Sequence, residues 1–235
     1  MARLILFPVP IGGDDLDQSL PAANRELLLG CTTFIVEEQR TALRFLKRAG
    51  YPLPIDPERL LLLNEHTPPQ AIAGYLDAIK QGHDIGLLSE AGLPCVADPG
   101  ALVVRQAQQQ GIEVVPLVGP SSLMLALMAS GLNGQQFAFN GYLPVDRQER
   151  AAAIRRLEGI ALRTGSTQLL IEAPYRNNQM LESLAATCRP DTLICVACDL
   201  TQPTQTIQTH SAGEWLTLRH NLNLHKRPTV FLIGI

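Results

Sequence analysis

Short apolar runs alternate with stretches of helical periodicity over the first half of the 235-residue chain. The apolar runs predict strands at residues 4–9, 34–37, 60–63, 85–88 and 113–118. Between them, the spacing of apolar positions predicts helices at residues 21–29, 41–49, 68–81 and from 98 to Gly111. Asp98 is the predicted N-cap of the last helix, with Pro99 in its first turn. Because the run at 85–88 lacks polar alternation, we expect an open α/β sheet of parallel strands buried on both faces.

A turn rich in Gly and Pro at residues 119–122 separates this half from a second alternating series. That series predicts strands at residues 137–142, 168–172, 193–200 and 229–233. The predicted helices lie at residues 123–130, 146–162, 177–186 and 212–218, and a hairpin-like segment lies at 204–209. No long linker or low-complexity segment interrupts the chain. We therefore predict two α/β domains, residues 1–118 and 119–235, that pack against each other with a ligand cleft between them.

The amino-acid composition restricts the kinds of function that the chain can have. A hydrophobic fraction of 46% with 17% charged residues is that of an ordinary globular protein. The net charge of −3 argues against a strongly basic surface for nucleic acid, although it leaves room for a local basic patch. Aromatic residues make up only 5% of the chain, which argues against a surface built on many stacked bases.

Five scattered cysteines among apolar neighbours indicate reduced thiols rather than a disulfide framework. Cys195 and Cys198 have the Cys-x-x-Cys spacing, but they lie in a predicted strand, where positions i and i+3 point to opposite faces. Because no second Cys/His pair completes a zinc site, we predict no metal. The sequence also shows neither a stretch of about 20 apolar residues nor a signal peptide, so we predict a cytoplasmic protein without a membrane partner.

Three turns carry candidate chemistry, each at the carboxyl end of a predicted strand, where ligands bind in open α/β sheets. Residues 9–14 offer paired glycines for close backbone approach, and we expect Gly12 and Asp14 to contact substrate. This turn is neither a Gly-x-Gly-x-x-Gly motif nor a Walker loop. Residues 89–100 form a long loop of small and polar residues, and residues 119–122 place two serine hydroxyls at a helix N-terminus. Taken singly, the turn at residues 9–14 also fits ordinary connection chemistry, and the one at 119–122 ordinary helix capping, whereas the loop at 89–100 is the most informative of the three.

Taken together, these segments resemble a known family. Residues 89–100 are similar to the Ser-Asp-Ala-Gly-x-Pro-x-x-x-Asp-Pro-Gly loop of the tetrapyrrole methylase superfamily. Within that superfamily, the resemblance is closest to the branch that 2′-O-methylates a ribosomal RNA cytidine (small-subunit methyltransferase I). The further segments that match this branch, in order along the chain, are residues 9–12, 37–41, 64–66, 118–121, 141–150 and 172–176.

The resemblance implies two αβα domains, a homodimer, and S-adenosylmethionine bound in the interdomain cleft. By position, it also implies a set of cofactor-binding residues, many of which would act through their backbone. These are Pro10, Gly92, Leu93, Cys95, Val96, Ser121, Ser122, Ala173, Ala197, Asp199, Pro228 and Thr229.

The chain also departs from the family pattern. Asp146 replaces a Lys, Cys198 an Arg and Gln202 a Lys, and Arg227-Pro228 stands where the family has Gly-Glu. Each lost cation weakens binding to phosphate. The resemblance therefore implies methyl transfer more strongly than it implies an RNA substrate.

Methyl transfer to a ribose hydroxyl needs a base within hydrogen-bond reach of that hydroxyl. The candidate bases are Glu37, Glu90 and Glu172, each at a predicted strand end. Arg40 and Arg176 would hold an acceptor phosphate or fix one of these carboxylates, unless these groups are salt bridges across the cleft. Arg150, beside the Leu143-Pro144 turn, is the residue of the charged helix that we expect to reach substrate.

Three functions stay open at this stage. The first is an RNA 2′-O-methyltransferase, which the closest branch favours. The second is a methyltransferase for a small molecule such as a tetrapyrrole, which the acidic net charge and the missing cations favour. The third is a catalytically silent protein that binds S-adenosylmethionine.

Overall fold

The computed structural model describes residues 2–13, 16–17 and 20–235. The chain divides into two compact units, Met1–Ser121 and Ser122–Ile235. No helix within the described ranges is long and apolar enough to cross a bilayer.

The first unit alternates strands and helices, as its sequence predicts. Its strands are β1 (Leu4–Phe7), β2 (Thr33–Val36), β3 (Leu60–Leu62), β4 (Ile85–Leu88) and β5 (Val114–Pro116). Its helices are α1 (Ala22–Gly30), α2 (Gln39–Arg48), α3 (Pro69–Ile72), α4 (Asp77–Lys80) and α5 (Ala101–Gln109), and a 3₁₀ turn at Pro57–Arg59 precedes β3.

All neighbouring strands of this sheet are parallel, in the order β3-β2-β4-β1-β5. Alternate side chains of each strand enter two cores, because successive residues of a strand face opposite sides. Ile5 and Phe7 pack with the apolar residues of α1 and α2, whereas Leu4 and Leu6 pack with those of α3, α4 and α5. The predicted parallel α/β sheet, buried on both faces, is confirmed.

The order of the strands fixes where a ligand site belongs. The chain leaves β2 toward β3 at one side of the sheet and leaves β4 toward β5 at the other side. Connections therefore diverge from the adjacent carboxyl ends of β2 and β4, and this divergence is the topological switch point at which open α/β sheets bind ligands.

The sequence predicts one helix at residues 68–81, and this prediction is wrong. The structure has two four-residue helices there, α3 and α4, joined by a turn at Ala73–Leu76. Gly74 lies in this turn, and Gly weakens a helix interior. The Tyr75 hydroxyl also donates to the backbone carbonyl of Leu62 and so ties the turn to the end of β3. The apolar spacing is still satisfied, since Ile72, Leu76 and Ile79 all reach the core.

The second unit contains a mixed sheet. Its strands are β6 (Phe137–Tyr142), β7 (Thr167–Ile171), β8 (Leu193–Cys198), β9 (Thr206–Ser211) and β10 (Thr229–Gly234). Its helices are α6 (Ser122–Ser130), α7 (Arg147–Thr164), α8 (Asn177–Thr187) and α9 (Ala212–Leu218), with 3₁₀ turns at Pro174–Arg176 and Arg219–Asn221. The strand order is β6-β7-β10-β8-β9, in which β6 and β7 are parallel and the other neighbours are antiparallel.

The core of this unit lies on the face covered by α7, α8 and α9, around the fully buried Trp215. Helix α6 packs against β8, β9 and β10. Cys198 belongs to the core beneath α7–α9 and Cys195, three residues earlier in β8, does not. Both thiols are buried and free. The predicted divergence of the Cys-x-x-Cys pair is confirmed.

Candidate functional site

Two predicted carboxylates meet at the switch point of the first unit. Glu37 follows β2 and Glu90 follows β4, and the backbone amide of Glu90 donates to Oε1 of Glu37 across 3.3 Å. The hydroxyl of Thr41, in the first turn of α2, donates to Oε1 of Glu90 across 2.6 Å. Sequence reasoning gave Thr41 no role, because the contact depends on which strands are neighbours in the sheet.

The environment of these carboxylates is acidic. Burial raises the pKa of the Glu37 carboxyl, and the nearby charge of Asp98 raises it further. Burial also raises the pKa of the Asp98 carboxyl, although the backbone amides that donate to this carboxylate lower its pKa by a smaller amount. Within the described ranges, neither Lys nor Arg forms an ion pair with Glu37, Glu90 or Asp98. The Arg40 side chain, which sequence reasoning placed beside them, is exposed. This edge therefore suits a positively charged group or a hydroxyl donor.

The loop at residues 89–100 is folded around Asp98. Its carboxylate accepts from the amide of Cys95 at 2.8 and 2.9 Å and from the amide of Gly100 at 2.8 Å. The prediction that Asp98 is the N-cap of α5 is wrong, because Gly100 occupies the N-cap position without a side-chain cap. The carboxylate instead holds a loop in which Cys95 and Ala97 have φ of 68° and 64°, a conformation that costs about 1–3 kcal/mol per non-Gly residue.

The three candidate turns of the first unit lie against one another. Val9 and Gly92 form an isolated bridge with two backbone hydrogen bonds of 3.0 and 3.1 Å. A Cβ on Gly92 would lie 3.0 Å from Cγ2 of Ile11 and 3.3 Å from the carbonyl oxygen of Pro120. A Cβ on Gly119 would lie 2.1 Å from Cβ of Pro8. An added Cβ would overlap Pro8 at Gly119 and would crowd Ile11 and Pro120 at Gly92, so the turns after β1, β4 and β5 lie against one another and form one surface.

A cavity of about 360 Å³ opens beside this surface. Its walls are the turn of residues 9–13, the start of the loop after β4 (Ser89 to Ala91) and the face of α2 that carries Arg44 and Arg48. Pro10 and Gly12 line it, as does Glu90. Asp14, the other predicted substrate contact of this turn, lies outside the described residues.

The remaining predicted cofactor contacts of the first unit surround the loop. Gly92 is buried and has φ of 76°, Leu93 and Ser121 are half-buried, and the side chain of Val96 is 44% exposed. Burial raises the pKa of the Cys95 thiol to about 12, so that this thiol is not a nucleophile near neutral pH.

In the second unit, Glu172 and Arg176 form an ion pair at the end of β7. Glu172 is buried, and its Oε1 accepts from Nη2 of Arg176 and from the amide of Ala173, each at 2.6 Å. Oε1 of Glu172 is thus already occupied by two donors, whereas the carboxylate of Glu37 accepts one backbone hydrogen bond. The geometry therefore makes Glu172 an anchor for Arg176 and leaves Glu37 as the better candidate base.

Four of the other predicted cofactor contacts of this unit (Ala197, Asp199, Pro228 and Thr229) lie where β8 ends and β10 begins, whereas Ser122 starts α6 and Ala173 follows β7. Asp199 is buried and accepts from Nε of Arg227 at 2.7 Å and from the hydroxyl of Thr204 at 2.8 Å, and its own amide donates to the carbonyl of Pro228. Ala197 and Thr229 are buried, Pro228 is exposed, and Ser122 and Ala173 are half-buried. In the sequence, Arg227 is only a departure from the family pattern. In the structure, it supplies the cation that pairs with Asp199.

Arg150 is almost buried between α7 and α8. Its Nε donates to the hydroxyl of Ser183 at 3.1 Å and its Nη1 to the carbonyl of Val145 at 2.8 Å. It lines a cavity of about 290 Å³ together with Arg147, Glu182 and Ser183. No group of His, Cys, Asp or Glu side chains within the described part of either unit is arranged to hold a metal ion.

Comparisons with known proteins agree with the resemblance. The family described as tetrapyrrole (corrin/porphyrin) methylases matches residues 9–215. A ribosomal RNA small subunit methyltransferase I from Escherichia coli O157:H7 is 29% identical over 98% of the chain and 77% of its own length. The protein of the same name from Pseudomonas aeruginosa is 34% identical over 77% of the chain and 59% of its own length.

Two solved structures have the same fold. The methyltransferase CobJ aligns with a TM-score of 0.63 and 18% identity over 100% of the chain and 94% of that structure. The cobalamin biosynthetic enzyme cobalt precorrin-4 methyltransferase CbiF aligns with a TM-score of 0.59 and 15% identity over 99% of the chain and 94% of that structure.

Proposed function

Because the chain belongs to the tetrapyrrole (corrin/porphyrin) methylase family and is a methyltransferase, we propose that it transfers the methyl group of S-adenosylmethionine to a ribose 2′-hydroxyl of ribosomal RNA. The relatives' shared name supports ribosomal RNA as the substrate, and the choice of the ribose 2′-hydroxyl comes from the family resemblance. The observation that carries the proposal is the surface formed by the turns after β1, β4 and β5, with Glu37, Glu90 and Asp98 beside it and no ion-paired cation among the described residues.

The residues of the first unit suit this cofactor. S-adenosylmethionine supplies an electrophilic methyl group on a positively charged sulfur. Pro10, Gly92, Leu93, Cys95, Val96 and Ser121 would hold it, largely through backbone groups of a loop already fixed by Asp98. Carboxylates without an ion-paired cation stabilise a nearby positive charge and accept from amine or hydroxyl donors. For the residues of the second unit, from Ser122 to Thr229, a cofactor role stays a prediction of the resemblance.

Glu37 is the proposed base. It is half-buried, it receives one backbone hydrogen bond, and its raised pKa makes it a stronger proton acceptor than an ordinary glutamate. In the proposed reaction, Glu37 would take the proton of the ribose hydroxyl, and the cofactor would supply the methyl group to that oxygen and leave as its demethylated, uncharged thioether product. Glu90, held by Thr41, orients Glu37 through its backbone amide. Arg40 and Arg176 would contact the acceptor, whereas the guanidinium of Arg150 donates to Ser183 and Val145, and its contact with substrate stays a prediction of the sequence.

We also propose that the protein acts in the cytoplasm as a homodimer. All five cysteines are free, which suits a reducing compartment. The dimer is what the family resemblance implies.

The deciding experiment has two parts. Calorimetry with S-adenosylmethionine and its demethylated product should give micromolar or tighter binding. Transfer of a tritiated methyl group to ribosomal RNA, followed by nuclease digestion, should then yield a labelled 2′-O-methylnucleoside. Label on a porphyrin precursor instead would favour the small-molecule function. Binding without transfer to either acceptor would favour a catalytically silent protein.

A further inference from the structure

Two exposed tyrosines stand at the carboxyl ends of β6 and β7. Tyr142 is the last residue of β6 and is 62% exposed, and Tyr175, in the 3₁₀ turn after β7, is 61% exposed. The parallel register pairs Tyr142 with Ile171, the last residue of β7. The two rings therefore occupy the same edge of the sheet.

These two differ from the other tyrosines of the chain. Tyr51 and Tyr75 donate their hydroxyls to backbone carbonyls of the first unit. The phenol groups of Tyr142 and Tyr175 make no hydrogen bond to any residue that the structure describes. Single exposed aromatics are common, but two at the carboxyl ends of neighbouring parallel strands present two flat rings to solvent on the same edge of the sheet.

Arg176 packs against the ring of Tyr175. Its guanidinium carbon lies 5.3 Å from the centroid of the Tyr175 ring, within the range of a cation–π contact. The Glu172 carboxylate holds this guanidinium, as described above, and raises its pKa. The guanidinium thus contacts the ring of Tyr175, and the pairing of Tyr142 with Ile171 places Tyr142 at the same end of the sheet.

A second cation adjoins this edge. The backbone amide of Lys226 donates to the carbonyl of Pro174 at 2.9 Å, which places Lys226 beside the 3₁₀ turn that carries Tyr175. Lys226 is exposed, whereas its neighbour Arg227 is committed to Asp199. We name Tyr142, Tyr175, Arg176 and Lys226 the tyrosine platform.

We propose that the tyrosine platform stacks an unpaired base of the RNA substrate, with Lys226 on an adjacent phosphate. Proteins recognise single-stranded RNA by stacking splayed bases on aromatic rings and arginine planes, and every base offers a π-face to such a surface. The combination of two flat rings with cations favours a nucleotide over an uncharged apolar partner. This inference rests on the proposed function, because it assumes an RNA acceptor.

The test uses the full-length protein and a single-stranded RNA oligonucleotide that contains 2-aminopurine, whose fluorescence is quenched by stacking. The variants are Tyr142→Ala and Tyr175→Ala, each with its Phe counterpart. We expect each Ala variant to weaken RNA affinity on the order of tenfold and to lose the quenching. The Phe variants keep the ring and should keep both the affinity and the quenching.

The matched control is Phe137→Ala, because Phe137 is 43% exposed at the opposite end of β6. This variant should bind RNA as the wild type does, and the affinity of every variant for S-adenosylmethionine should be unchanged. If wild-type protein methylates RNA but the Ala variants bind and quench normally, the platform is refuted and the proposed function stands. If the wild type binds no RNA and the tyrosines instead govern affinity for a water-soluble porphyrin, both proposals fail.

Discussion

Glu37 and Glu90 lie 53 residues apart in the chain, yet the amide of Glu90 donates to the carboxylate of Glu37 across 3.3 Å. Their proximity follows from the insertion of β4 between β2 and β1, which brings the ends of two non-consecutive strands together. Because burial accompanies this contact, the proposed base has a raised pKa.

The first prediction concerns the rate of methyl transfer. Since Glu37 must be ionised to accept a proton, we expect kcat to rise with pH through a pKa above the usual 4.5. Glu37→Gln should lower kcat by about 10²–10⁴-fold and abolish this dependence, with cofactor affinity retained. Steady-state kinetics across pH measures both effects, and the exposed Glu65→Gln variant is the control. An unchanged pH profile in Glu37→Gln would exclude Glu37 as the base.

The Glu37 carboxyl should also make the stability of the fold depend on pH. Its contribution to stability should fall as pH rises, whereas its contribution to kcat should increase. A carboxyl group whose pKa is raised by folding favours the folded state most below its unfolded pKa and loses that contribution as pH rises through its folded pKa. Glu37→Gln should therefore be more stable than the wild type near pH 7, with a difference that shrinks toward pH 4. Thermal unfolding at a series of pH values measures this, and a variant that is less stable at pH 7 would contradict it.

Removing the carboxylate of Asp98 should loosen the loop after β4. Asp98→Ala leaves the amides of Cys95 and Gly100 without their acceptor, which we expect to cost about 1–3 kcal/mol. Hydrogen exchange at residues 95–100 should accelerate and cofactor affinity should fall. Asp56→Ala removes a similar local bond, to the amide of Glu58, and should leave both measurements unchanged.

Two glycine substitutions separate backbone strain from close contact. Gly92 and Gly82 have φ of 76° and 91°, so Ala at either position should cost about 1–2 kcal/mol in the left-handed conformation. Only at Gly92 would the added Cβ meet neighbours, Ile11 and Pro120, because nothing lies within 4 Å at Gly82. We expect Gly92→Ala to abolish cofactor binding in calorimetry and Gly82→Ala to preserve it. Equal effects would mean that the turns do not need this close contact.

The Glu172–Arg176 pair should behave non-additively. Arg176→Ala leaves the buried carboxylate of Glu172 unpaired, and we expect the free energy of unfolding to fall by about 3 kcal/mol. This is the lower end of the range for broken buried ion pairs, because the Arg176 side chain is 21% exposed. Adding Glu172→Gln should recover part of this loss, because the uncompensated charge disappears. Denaturant unfolding of the single and double variants completes the cycle. Strict additivity would show that the two side chains do not interact.

Local features of the fold could be predicted from the sequence. The strand Ile85–Leu88 has the predicted bounds, since an unbroken apolar run between polar segments leaves little choice. The hairpin-like segment predicted at 204–209 corresponds to β9, which pairs antiparallel with β8, Thr206 opposite Cys198. At residues 68–81 the apolar spacing fits one helix or two equally well, and the contact of Tyr75 with Leu62 that decides between them is tertiary.

The chemistry at strand ends could be predicted only in part. The sequence indicates that Glu37 and Glu90 each follow a strand, but the pairing of β2 with β4 is a property of strand order that no local pattern encodes. The same holds for Arg227 and Asp199, whose side chains meet 28 residues apart in the chain. An Asp before Pro-Gly fits a helix cap and a loop anchor equally well, so the sequence alone does not distinguish these two roles for Asp98.

The position of β10 sets the order in which the second unit can be assembled. Val230 pairs with Ile171 on one side and with Ala197 on the other, so the strand that comes last in the order of this unit forms the middle of its sheet. During synthesis, β7 and β8 are made well before the strand that joins them. Until residues 229–234 emerge from the ribosome, both strands present open edges that can pair with other chains. The nascent second unit is therefore expected to depend on chaperones until its last strand arrives, whereas the first unit can close once β5 has been made.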